Sequence, residues 1–162
     1  MKEGLKNQME KYNIHQINVS APNLIVICID KADTEEIEGR FYHCYGNEPV
    51  SFVSIVEFLT KAEKFFDLIS FPQASTRTRN FDSKIRNDKT YNNHRPKKVV
   101  EQTEIIQRRG EKATFVVWVK FRQNSTWQGE MFWMEEGEKK IFGNVLELTS
   151  EIDKTLQKQK IN

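Results

Sequence analysis

The chain has 162 residues, of which 38% are hydrophobic and 30% are charged, and its formal net charge is +2. This balance is typical of one compact domain, or of two small halves that share a core, and it excludes a chain that is disordered throughout. The longest apolar runs, "LIVICI" and "FVVWV", are far shorter than the roughly 18–20 residues of a membrane span, and the N-terminus lacks a signal-peptide pattern, so we expect a cytoplasmic protein without a membrane partner.

The first predicted unit, residues 24–70, follows an N-terminal segment, residues 1–23, that shows no clear periodicity. The β-branched run "IVICI" predicts a strand, and a polar loop, Gly39 and the run "RFYHCY" predict a second one. A turn and a short third strand that ends at Phe52 come next. The 3–4 spacing of the apolar residues that follow predicts an amphipathic helix. These residues are Ile55, Phe58, Leu59, Ala62, Phe66 and Ile69.

A second unit, residues 113–159, repeats this pattern 90 positions later without a gap: Gly39 falls on Gly129, and Phe52 falls on Phe142. Because one three-stranded sheet with one helix buries little apolar area, we expect the two units to pack together. We therefore predict an α+β fold of tandem pseudo-twofold β-β-β-α repeats, with antiparallel sheets that are each covered by one helix. The apolar positions of the second helix are Val145, Leu148, Ile152 and Leu156.

Two glutamates recur at the start of the predicted helices. Glu57 follows Ser54 by three residues, and Glu147 follows Asn144 by three. Ser and Asn side chains accept hydrogen bonds from the first amides of a helix, and an acid three residues later bonds back to the cap amide. The spacing therefore predicts helix capping, and not a pair of catalytic carboxylates.

One face of each predicted hairpin has no evident cover. If Ile29 lies opposite Phe41, the alternation of side chains places the more apolar face, with Met131 and Trp133, under the helix. The other face is apolar at its centre and needs a cover, which is the other repeat, a second chain, or a ligand such as nucleic acid. A homodimer through this face is the predicted assembly. Its candidate interface residues are Tyr42, Trp118, Phe132 and Met134.

The linker between the units, residues 71–112, is basic in its first part. Between positions 71 and 98, eight Lys and Arg residues stand against only Asp82 and Asp88, so the remainder of the chain is net acidic. A solvated linker that keeps the protein soluble accounts for this composition. The second interpretation is phosphate contact combined with base stacking, because aromatic side chains are interspersed among the cations.

The alternative function is therefore binding of single-stranded nucleic acid or of a nucleotide-like anion. The cations would contact phosphates, and the aromatic rings would stack on bases. Two residues in the β-hairpin loop of the second unit would extend the site if the linker crosses that end of the sheet. The candidate residues are Arg77, Arg79, Phe81, Lys84, Arg86, Tyr91 and Arg95 in the linker, and Arg122 and Trp127 in the loop.

No catalytic or metal-binding motif is present in the sequence. His15, His43 and His94 lack the spacing of metal ligands, and Cys28 and Cys44 lack that of a zinc knuckle or a redox pair. A phosphate-binding glycine loop and a G-x-S-x-G motif are also absent. We therefore expect no catalytic residue, no metal and no cofactor, and we predict a non-catalytic interaction protein that associates with itself.

Several segments resemble a group of proteins. "ATFVVWVKFRQNSTWQGEMFW" and "FGNVLELTSEID" resemble the C-terminal half of small uncharacterised proteins of anaerobic Gram-positive bacteria, and "GRFYHCYGNEPVSF" and "FPQASTRTRNF" resemble their N-terminal half. The resemblance covers most of residues 24–156. Because the group has no established activity, the resemblance implies no catalytic residue.

Overall fold

The computed structural model describes residue 10 and residues 14–33, 36–74 and 96–161. A single 3₁₀ turn, Ile14–Gln16, precedes the regular elements of these ranges. In chain order, these elements are β1 (Ile25–Ala32), β2 (Ile37–Tyr42), β3 (Val50–Phe52), α1 (Ile55–Ile69), α2 (Gln102–Ile105), β4 (Ala113–Phe121), β5 (Gln128–Trp133), β6 (Glu138–Phe142) and α3 (Val145–Ile161).

The six strands form one antiparallel sheet in the order β3-β2-β1-β4-β5-β6. The predicted α+β class is therefore confirmed, but the expectation of a separate sheet for each unit is wrong. The central strands β1 and β4 pair with each other, from Ile25 opposite Val117 to Ile29 opposite Ala113. This pairing satisfies the backbone groups that two separate three-stranded sheets would leave on open edges.

The register of the first hairpin differs from the predicted one by two residues. Ile27 lies opposite Phe41, and Ile29 lies opposite Gly39, next to a β-bulge between Ile29 and Lys31. Because side chains alternate with a period of two, a shift of two residues leaves each of them on the predicted face. Met131 and Trp133 accordingly lie in the core under the helices, as predicted.

Both long helices pack on the same face of the sheet and close one core. The apolar face of α1 is buried against Phe41, Phe52 and Phe115, and α3 contributes its own stripe to the same cluster. The apolar stripe predicted for α1 was incomplete, because Phe65 is also buried. The buried helix residues of this cluster are Phe58, Ala62, Phe65, Phe66, Ile69, Leu148, Ile152 and Leu156.

The opposite face of the sheet is covered by other parts of the same chain. Residues 14–24, which precede β1, and residues 100–106, which include α2, pack on it and form a second apolar cluster. In the second of these segments, residues 102–105 form the short helix α2. The members contributed by the covering segments are Ile14, Ile17, Ala21, Leu24, Ile105 and Ile106, and those contributed by the sheet include Val26, Cys28, Val116 and Phe132.

Both predicted helix caps are present. The Glu57 amide donates to Ser54 Oγ at 3.1 Å, and the Glu147 amide donates to Asn144 Oδ1 at 2.9 Å. The glutamate carboxylates accept from the backbone amide of the residue before the cap, Glu57 from Val53 and Glu147 from Gly143, and not from the cap amide. Glu147 also accepts from the side-chain amide of Asn144 at 3.3 Å. Each backbone bond satisfies an amide that has no partner within the helix.

Candidate binding site

Ala74 and Val99, the residues on either side of the basic segment (residues 75–98), are attached at the same end of the sheet. Ala74 forms a parallel bridge with Arg122, just beyond the end of β4. The amides of Val99 and Val100 donate to the carbonyl of Cys44, which lies just beyond the end of β2, at 2.8 and 3.1 Å. Because β2 and β4 both run antiparallel to β1, they end at the same side of the sheet.

The predicted cation and stacking residues of the linker fall within residues 75–95, outside the described part of the chain. The described contacts of this part of the chain are therefore those of Ala74 before the segment and of Val99 and Val100 after it. The residues concerned are Arg77, Arg79, Phe81, Lys84, Arg86, Tyr91 and Arg95.

Arg122 occupies a buried position at this end of the sheet, with 4% of its surface exposed. Its Nε donates to the carbonyl of Pro72 at 2.6 Å, and its Nη1 donates to carboxylate oxygens of Glu63 and Asp67 at 2.9 and 2.7 Å. The guanidinium carbon also lies 5.8 Å from the centre of the Phe66 ring. The charge of Arg122 is therefore already balanced by two carboxylates of α1.

Trp127, the second loop residue predicted for the site, is a core residue. Only 3% of its surface is exposed, and its ring stands edge-on to Phe58 and Phe66, with centroids 6.3 and 5.3 Å away. Its indole N–H donates to Glu63. The structure thus brings Arg122 and Trp127 together on one glutamate of α1, with both side chains enclosed by the chain.

A groove of about 340 Å³ lies beside Arg122. Phe71, Pro72 and Gln73 line one side of it, and residues 120–123 line the other. Phe71 and Phe121 keep 36% and 54% of their surface exposed, which is unusual for phenylalanine. Phe71 and Phe121 were missed as site residues, because the sequence places Phe71 at the start of the linker and Phe121 at the start of the polar loop after the predicted strand. The bulge between Val119 and Phe121 changes the direction of Phe121.

The candidate interface residues divide into two pairs. Phe132 and Met134 are 0% and 1% exposed and belong to the second apolar cluster of the chain itself. Tyr42 and Trp118 are half-buried at the margin of that cluster. Contact of Tyr42 and Trp118 with a second chain stays a prediction, whereas Phe132 and Met134 are already covered by other residues of the same chain.

A charged pair lies beside each bulge of the central strands, and the two pairs have opposite polarity. Asp30 of β1 pairs with Arg40 of β2, whereas Lys120 of β4 pairs with Glu130 of β5 at 3.0 Å. Lys120 also lies 4.8 Å from the centre of the Trp118 ring. The ammonium of Lys120 is thus neutralised by Glu130, and Lys120 is among the residues that line the groove.

Three titratable side chains, Cys28, Cys44 and His43, are held in their neutral forms at neutral pH. Burial raises the pKa of the Cys28 thiol to about 12 and raises that of Cys44. Burial lowers the pKa of His43 to about 4, and its ring stacks on Phe65 at 4.2 Å. In the described ranges, no three His, Cys, Asp or Glu side chains are grouped so that they could hold a metal ion.

Comparison with protein-family models, with curated proteins and with solved structures gives no match for this chain. The resemblance to the small proteins of anaerobic Gram-positive bacteria therefore stays a prediction. None of the helices in the described ranges combines the length and the apolar character that a bilayer crossing requires.

Proposed function

We propose that this chain is a non-catalytic binding protein, and that its ligand is single-stranded nucleic acid held at the end of the sheet where β2 and β4 terminate. The observation that carries the proposal is the attachment of both ends of the basic segment to this one end, at Ala74 and at Val99. Between these two points the sequence carries eight cations, whereas the other residues of the chain are net acidic. Such asymmetry favours a polyanionic partner over a diffuse surface charge.

Self-association is the second candidate. It was predicted through the second face of the sheet, which the chain covers itself with residues 14–24 and 100–106. A second copy could instead contact exposed apolar side chains of the described residues. These include Ile141 on β6, which is 74% exposed, and Leu146 and Val56 at the helix starts, which are 80% and 69% exposed. Sedimentation over a range of protein concentrations distinguishes a monomer from a homodimer.

We also infer that the two halves are copies of one unit. Five of the six pairings of β1 with β2 have a counterpart 90 residues later between β4 and β5, including the bulge that follows Ile29 and Val119. One contact differs between the halves. The Ile29 carbonyl accepts from the Lys112 amide, and the residue 90 positions before Lys112 is Pro22, which has no N–H to donate to the Val119 carbonyl. The side chain of Asn23 donates to that carbonyl instead.

The copies differ at the proposed binding end. Arg122 and Trp127 of the second copy correspond to Ala32 and Ile37 of the first, which carry neither the charge nor the indole N–H. The contacts to α1 therefore exist at one end of the sheet and have no counterpart at the other. This difference supports a function at the end where the basic segment is attached.

The proposal is tested by fluorescence anisotropy with labelled single-stranded DNA and RNA at two salt concentrations. Binding should weaken with salt, with a slope of roughly 0.7 in log affinity per log salt for each phosphate contact. Arg77→Ala and Arg79→Ala should each lower this slope. Lys31→Ala, which removes an exposed lysine at the opposite end of the sheet, should leave it unchanged. Absence of salt-dependent binding by the wild-type protein at tens of micromolar would refute the proposal.

A further inference from the structure

We propose that the groove between Phe71 and Phe121 is a subsite for one base of the single strand, and that Arg122 holds one wall of this subsite in place without contacting phosphate. The inference rests on the proposed function and adds a described location for the base. The groove lies beside Ala74, the point at which the chain enters the segment to which the proposed function assigns the phosphate contacts.

The lining of the groove matches the chemistry of a base. Phe71 and Phe121 offer exposed ring surface for stacking, which every base can use because each has a π-face. Gln73 and Gln123 line the same groove, and each has an amide group that can both donate and accept hydrogen bonds. The volume of about 340 Å³ lies near the lower limit for ligand sites and therefore favours one base over several.

The charges around the groove argue against a phosphate in it. Its two cations are both engaged, Lys120 with Glu130 and Arg122 with two carboxylates of α1. Among the described residues that line the groove, neither cation is unpaired, and a phosphate placed beside Arg122 would meet the carboxylates of Glu63 and Asp67. An uncharged aromatic base is not repelled by these carboxylates. The phosphates on either side of the base would contact the cations of the basic segment, as the proposed function requires.

Arg122 acts on the groove through the backbone of the segment that forms its wall. The guanidinium binds the Pro72 carbonyl, and the backbone of Arg122 bridges to Ala74. Glu63 and Asp67 fix the guanidinium in turn. Loss of the Arg122 side chain would remove the bond to the Pro72 carbonyl and loosen the wall formed by residues 71–73, while the backbone bridge to Ala74 stays in place.

The deciding experiment compares two labelled ligands of equal length and charge: an oligonucleotide and its abasic counterpart, which has the sugar–phosphate chain without bases. Wild-type protein should bind the oligonucleotide about 5- to 150-fold more tightly, the range expected for one stacked base. Phe121→Ala should remove most of this preference and leave binding of the abasic strand unchanged. Ile141→Ala, which truncates an exposed apolar residue on β6, is the matched control and should change neither affinity.

The two proposals fail in different ways. If the wild-type protein binds both strands equally and with salt dependence, the proposed function holds and the base subsite is refuted. If it binds neither strand, the proposed function itself is refuted. Retention of the full preference by Phe121→Ala and by Phe71→Ala would also refute the subsite.

The positioning role of Arg122 has its own readout. Arg122→Met should reduce the preference for bases while the salt slope stays at its wild-type value, because no phosphate contact is lost.

Asp67→Asn removes a negative charge beside Arg122. If Arg122 contacts phosphate, this variant should strengthen binding of both strands. If Arg122 is a positioning residue, binding of the abasic strand should stay the same. Thermal melts establish that each variant is folded.

Discussion

Val26 of β1 lies directly opposite Val116 of β4 in the middle of the sheet, and the two residues are 90 positions apart. The flanking pairs, Ile25 with Val117 and Ile27 with Phe115, exchange when each number is shifted by 90. This is the relation that a twofold axis between the two valines produces, and it supports the inference that the halves are copies of one unit. The two halves share one sheet because β1 and β4 each pair with the strand edge that the other would otherwise leave open.

Gly129 is expected to be indispensable for the packing of β4 on β5. A Cβ atom at this position would lie 2.1 Å from the carbonyl oxygen of Trp118, which is backbone and cannot move aside. Gly129→Ala should therefore cost at least about 3 kcal/mol in the free energy of unfolding, at the upper end of typical overpacking. Gly143→Ala is the control, because its nearest neighbour is the flexible Glu147 carboxylate at 3.4 Å. Equal stability of the two variants in urea would contradict the prediction.

The caps of the long helices should contribute measurable stability. Ser54→Ala and Asn144→Ala each remove an acceptor of a helix amide and should cost about 0.5–2 kcal/mol. Thr60→Ala alters an exposed hydroxyl within α1 that bonds only to the Val56 carbonyl, and it should change the unfolding free energy by less than about 0.5 kcal/mol. Chemical denaturation of the three variants tests the difference, and a loss for Thr60→Ala as large as the cap losses would argue against a special role of the caps.

Stability should fall in mild acid because of His43. Its pKa is lowered to about 4 in the folded chain from an ordinary value of 6.5, so between these values the unfolded chain binds the proton more readily. The stabilisation by neutral His43 is complete above pH 6.5 and is lost as the pH falls towards 4. His43→Phe, which keeps a ring against Phe65, should therefore lose less stability than wild type between pH 7 and pH 5.

The control for this prediction is His15→Gln, because His15 is exposed. The measured quantity is the difference in unfolding free energy between the two pH values, obtained from urea titrations. A pH dependence in His43→Phe identical to that of the wild-type protein would contradict the prediction.

The second face of the sheet should behave as part of the core. Phe132 is 0% exposed beneath the covering segments, and Phe132→Ala should cost about 3–5 kcal/mol, as expected for a buried aromatic side chain. Ile141→Ala, at a 74% exposed position, should cost less than about 0.5 kcal/mol. If Phe132→Ala is as stable as wild type in a monomeric sample, the face is not packed as the structure shows.

The sequence by itself determined the local features of this protein. The alternation in "IVICI" and "FVVWV" specified the faces of the central strands even though the assumed register was two residues away, because only parity decides the face. The spacing of Ser54 and Glu57 specified a helix start, because capping depends on groups within one turn. The 90-residue offset indicated that the two halves have the same elements in the same order.

Only the tertiary structure decided which contacts join distant parts of the chain. In the sequence, Arg122 is an unpaired cation near a basic linker, whereas in the fold it is buried between Glu63 and Asp67, which lie 59 and 55 positions away. In the same way, Ile14 and Ile105 come from segments without clear periodicity, yet both cover the second face. Pairing over such distances depends on how the two sheet halves join, and that geometry is not encoded in any local pattern of residues.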